Sequence, residues 1–77
     1  MAASYWQYEF GYGFFRITPW EDGVRLSYKE DDLGYYWRPQ MAVDDLVGGH
    51  VPIRLPAELQ AKIPRAIADW EFVRDDA

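Results

Sequence analysis

The sequence predicts an α+β fold: a four-stranded antiparallel β-meander over residues 5–38, with a C-terminal helix, kinked or split at a proline, packed on one face. Three observations carry that expectation. Residues 5–38 hold 12 of the 14 aromatic residues, in short runs that alternate in polarity. Turn signals rich in glycine and acid separate those runs. From Pro56 onward the apolar residues change period and recur at helical spacing.

Residues 1–4 read as a loose start. In the first strand, Tyr5–Phe10, one face carries Trp6, Tyr8 and Phe10 and the other Tyr5, Gln7 and Glu9, the period-2 split of a half-buried strand. Gly11-Tyr12-Gly13 suits a short hairpin turn with Tyr12 at its tip, because both glycines can adopt positive φ. The second strand, Phe14–Thr18, turns Phe15 and Ile17 inward and ends at Pro19, which has no N–H for a ladder. Pro19–Gly23 then reads as a turn with Gly23 at the left-handed position. The third strand, Val24–Lys29, sends Val24, Leu26 and Tyr28 inward. Glu30–Gly34 makes another turn, and Tyr35–Arg38 a fourth strand stopped by Pro39.

Residues 40–55 form a short helix or turn followed by an extended connector. Gln40–Val47 has Met41, Val43, Leu46 and Val47 as its apolar side, and Gly48-Gly49 breaks it. Pro52 and Pro56 hold Val51 and Leu55 away from the α region. Residues 56–74 are the expected C-terminal helix. Pro56 suits a first helical position, Glu58 sits near the positive end of the dipole, and Leu59, Ile63, Ile67, Trp70 and Val73 make one stripe. Pro64 interrupts that stripe by removing a hydrogen bond and clashing with the Gln60 carbonyl, which leaves a kinked helix or two short ones. Helix over sheet supplies the two layers that one core needs.

Seventy-seven residues make a single domain, 1–77, and a chain of this size buries only roughly 60% of its unfolded surface. There is no cysteine, so neither a disulfide nor a thiolate metal site braces it, and one histidine excludes zinc sites of several His or Cys ligands. No metal or cofactor is expected. Large aromatic rings supply the packing instead. The net charge of −5 repels phosphate backbones and anionic lipids, so direct nucleic-acid binding and membrane attachment are not expected. A basic protein partner is. The N-terminus lacks the pattern of a signal peptide, which gives a cytoplasmic expectation.

Candidate functional residues fall into two groups. His50 has no nucleophile signature around it and reads as a surface histidine, so the chain is not expected to be an enzyme. The acid groups Glu21-Asp22, Glu30-Asp31-Asp32, Asp44-Asp45 and Asp75-Asp76 lack the spacing of a calcium loop. Their ordinary role is to cap turns and solvate loops. Their functional role would be a negative face that receives Lys and Arg from a partner, the turns at 19–23 and 30–34 lying at opposite ends of the sheet. Tyr5, Tyr12, Phe14 and Trp20 stay outside or at edges, joined by either Tyr36 or the pair Tyr35 and Trp37. Such rings shield a curved sheet, anchor protein interfaces, or stack bases and sugars.

The combined reading is a non-enzymatic inhibitor or adaptor that binds a basic, nucleic-acid-handling protein surface. Glu21, Asp22, Glu30, Asp31, Asp32, Asp44 and Asp45 steer the encounter, and Trp20, Tyr12 and Tyr5 anchor it. In small size, acidity and lack of cysteine or motif, the whole chain resembles phage-encoded inhibitors, of which anti-CRISPR proteins are the largest group. The resemblance rests on no particular residue. It implies a ribonucleoprotein target, a CRISPR–Cas effector, whose DNA binding or cleavage is blocked stoichiometrically in the host cytoplasm. Two other classes remain: an aromatic-faced nucleic-acid or carbohydrate-binding module, and a structural homo-oligomeric component. Monomer and small homo-oligomer both fit the sequence.

Overall fold

The alternation in the first half of the chain folds into paired strands. A computed structural model describes residues 3–75, with β1 (Ala3–Phe10), β2 (Gly13–Trp20), β3 (Gly23–Tyr28) and β4 (Asp31–Tyr36) as a meander. There follow α1 (Pro39–Val47), the short α2 (Ala57–Gln60), a 3-10 turn (Ile67–Asp69) and β5 (Glu71–Asp75). The five strands form one antiparallel sheet in the order β4-β3-β2-β1-β5. The α+β class stands, and the helix lies elsewhere than expected. Of the loose start, residues 1–2 fall outside the described residues, whereas Ala3 and Ser4 belong to β1.

Each hairpin closes through two residues, Gly11-Tyr12, Glu21-Asp22 and Lys29-Glu30. The first residue of each pair has positive φ, at 61°, 51° and 55°, as two-residue loops that follow the strand twist require. Glu21, not Gly23, therefore takes the left-handed position. Pro19 does not end β2 but pairs with Val24 inside it. The tight turn makes Trp20–Gly23 the hydrogen-bonded closing pair, so by alternation the position of the missing Pro19 N–H points toward β1. There the β1 ladder stops at Trp6↔Ile17, and no hydrogen bond is lost.

The expected turn at Glu30–Gly34 is also shorter, because Leu33 draws the chain back into the sheet. Ser27 pairs with Asp32 and Leu26 with Gly34, leaving Leu33 as a bulge buried in the core. Gly34 leaves room for the Tyr36 ring, whose hydroxyl oxygen would lie 2.8 Å from a Cβ at that position. The inner face is as expected: Phe15, Ile17, Val24 and Leu26 are buried, and Trp6, Tyr8, Phe10 and Tyr28 pack against them.

The layer above this face is α1, which buries Ala42, Val43 and Leu46 and packs on β3, β4 and the 3-10 turn. Pro39 begins it within the first turn, where no N–H is missed. The expected helix over 56–74 is absent. Only Ala57–Gln60 is α-helical, and after Pro64 the chain runs through the 3-10 turn into β5, paired with β1 from Gln7↔Glu71 to Ala3↔Asp75. The free β1 edge decides this, because β5 satisfies its backbone groups while Phe72 meets Trp6 at 5.0 Å and Trp70 meets Tyr8 at 5.8 Å between ring centroids. Ile63 and Trp70 are buried as the stripe requires, but they reach the core from an irregular path. Gln40 pins that path to α1: its Nε2 donates to the Arg65 carbonyl (2.8 Å) and its Oε1 accepts from the Ile67 N–H (2.9 Å). The Gln60 amide does the same from the other side, donating to the Val47 carbonyl at 2.8 Å.

Candidate functional site

The β2–β3 hairpin builds one wall of a concavity at its end of the sheet. Strand alternation sends Trp20, Arg25 and Tyr35 to the outer face, away from α1. Trp37 follows β4 at the same end and is 72% exposed, a large apolar surface to leave in water. Between these rings lies a cleft of about 440 Å³ lined by Trp20, Tyr35 and Trp37, by the Glu21 and Asp22 turn, and by the chain around Gly23 and Tyr36. The rings are held in place from behind. Trp20 and Tyr35 lie 6.1 Å apart with planes tilted by 42°. The Arg25 guanidinium sits 4.6 Å from the Trp20 ring centre and its Nε is 3.5 Å from the Asp32 carboxylate, to which the Tyr35 hydroxyl donates at 3.4 Å.

The residues expected to bind a partner do not form one face. Trp20, Glu21 and Asp22 come together in the cleft. Tyr12, almost fully exposed, and Glu30 sit in the two turns at the opposite end of the sheet, where Asp31 begins β4. Asp32 is engaged with Arg25 on the outer face. Asp44 and Asp45 belong to α1: Asp44 accepts from Gln40 at 2.9 Å, and Asp45 accepts from the Tyr36 hydroxyl at 2.9 Å with His50 Nδ1 3.7 Å away. Burial, with the hydrogen bond to Asp45 and its charge, pushes the Tyr36 hydroxyl up to about 12. Tyr5 lies mid-sheet on the outer face, paired with Val73 and crossed by the Arg16 guanidinium at 5.4 Å. Tyr35 and Trp37 are the cleft residues that the sequence left open, since the Leu33 bulge sets which of Tyr35, Tyr36 and Trp37 point outward.

This arrangement is suited to cations. Aromatic faces attract them through the ring quadrupole, and the Glu21 and Asp22 carboxylates accept the hydrogen bonds a cation brings. No histidine, serine, cysteine or lysine is among the described residues that line the cleft. On the rest of the outer face, Arg16 lies over both Tyr5 and Phe14, so those rings already carry a guanidinium where a base or sugar would stack. A second depression, about 420 Å³, lies over the Gly49–Leu55 connector, with Arg54 as its charged side chain. Among the described residues no three acids or histidines gather as a metal site, and no helix is long and apolar enough to cross a membrane. No family model matches the chain, and comparisons with curated proteins and with solved structures give no match.

Proposed function

We propose that the chain is a non-catalytic binding protein that docks on a basic, nucleic-acid-handling protein surface through the β2–β3 end of its sheet. The observation that carries this reading is the meeting of Glu21 and Asp22 with Trp20, Tyr35 and Trp37 in one cleft. Carboxylates at the tip of an acidic molecule steer a basic partner and fix its register. Exposed tryptophans supply the anchors that dominate interface energy. An acidic protein seated on a nucleic-acid groove competes with phosphate, which makes it an inhibitor. A CRISPR–Cas effector is the target that the resemblance to phage inhibitors implies.

The test is retention of a candidate effector on the immobilised chain, with target-DNA binding measured as the chain is added. Stoichiometric loss of DNA binding is expected, abolished by Glu21→Lys/Asp22→Lys and unaffected by Glu30→Lys/Asp31→Lys at the far end. Equal retention by the first pair of substitutions would end this reading. Self-association is the second reading, favoured by an outer sheet face that no described element covers. A mass that doubles with concentration would support it.

A further inference from the structure

We propose that the cleft receives a single arginine side chain from the partner, in preference to lysine. The assignment rests on the docking reading above and names what that site recognises.

The molecule already shows the chemistry on itself. The Arg25 guanidinium lies 4.6 Å from the Trp20 ring centre, and its Nε is ion-paired with the Asp32 carboxylate at 3.5 Å without a hydrogen bond. The cleft brings the same residue types together, with Trp20, Tyr35, Trp37, Glu21 and Asp22 among its lining residues. Arg25 is not among the residues that line the cleft. Among the described residues neither Glu21 nor Asp22 is ion-paired. The site thus brings aromatic residues and acids together a second time, with no cation among the described residues that line it.

A guanidinium suits such a position better than an ammonium does. It is a flat plate that stacks on a ring with its faces while its edge donates a fork of N–H bonds to carboxylates. An ammonium is a compact, strongly hydrated charge that does only one of these well. Trp37, 72% exposed, gives the arriving side chain a surface to desolvate against.

The test is a titration of the ¹⁵N-labelled chain with acetyl-Gly-Arg-Gly-amide and with its lysine and citrulline counterparts, followed at the indole N–H signals. The arginine peptide should shift Trp20 and Trp37 saturably and leave Trp6 and Trp70 in place. The lysine peptide should bind about 5-fold more weakly or worse, and citrulline, similar in shape but uncharged, should not bind. Trp20→Leu and Glu21→Gln/Asp22→Asn should each weaken the arginine peptide ~10-fold, with the Trp6 and Trp70 signals reporting that the variants remain folded. No shift with arginine, equal shifts with lysine or citrulline, or a stronger shift with a single-stranded oligonucleotide would overturn the proposal. If it falls while retention of the effector still depends on Glu21 and Asp22, only the arginine assignment is lost. If that dependence is also lost, the docking reading goes with it.

Discussion

At Gly23 one absent methyl group sets how the β2–β3 hairpin meets β4. A Cβ there would meet the Tyr36 carbonyl oxygen and come within 3.2 Å of Trp37 Cα, both backbone atoms that cannot swing aside. Gly23→Ala should cost ~1–3 kcal/mol in a denaturant melt and disturb the cleft together with the fold. Glu21 is the reverse case. It holds φ at 51°, a conformation that glycine adopts without penalty. Glu21→Gly should therefore stabilise the chain by ~0.5–1 kcal/mol while weakening the partner, and melting and binding measured on one variant should move in opposite directions. Tyr36 gives a pH dependence. Its hydroxyl is raised from the ordinary 10.0 to about 12 in the folded chain, so the folded state keeps a proton that the unfolded state releases. The resulting stability is complete below pH 10.0 and is lost as pH rises toward 12. Tyr36→Phe should remove that alkaline fall, and at neutral pH it should cost ~1 kcal/mol for the hydrogen bond to Asp45.

β5 and the Leu33 bulge show which elements a local reading of sequence can find. The three hairpins were legible because glycine, acid and alternation signal a turn within a few residues of the strands it joins. The C-terminal segment was only half legible. Ile63 and Trp70 reach the core as their spacing requires, yet that spacing suggested a helix, and Glu71 pairs with a residue 64 positions away in sequence. No window on residues 56–74 contains the β1 edge that makes a strand the better outcome. Two substitutions separate these descriptions. Phe72→Ala loses the contact with Trp6 and should cost ~1 kcal/mol, whereas Leu59→Ala, at a residue 40% exposed, should stay within ~0.5 kcal/mol. A continuous helical stripe would reverse that order. The cleft was legible to the same degree. Trp20, Glu21 and Asp22 follow from the hairpin, but a one-residue slip exchanges the faces of a strand. Nothing local says that Leu33 bulges, so the sequence alone does not decide between Tyr36 and the pair Tyr35 and Trp37.

Across the described residues, the sheet consists of three short-range hairpins and one long-range pairing, that of β1 with β5. The central strands β2 and β3 have neighbours on both sides, whereas β5 has one. Amide hydrogen exchange should accordingly be faster in the edge strands β4 and β5 than in β2 and β3, an ordering that mass spectrometry of exchanged fragments can read. The pairing of Ala3 with Asp75 has a practical consequence as well. Both residues lie at the Trp20 end of the sheet, only about two strand spacings, ~10 Å, from the cleft. A tag, bead or fluorescent fusion attached beside them would crowd the surface it was meant to report on. The chain has no cysteine, so Tyr12→Cys, in the turn at the far end, gives a single point of attachment that leaves the cleft facing solution.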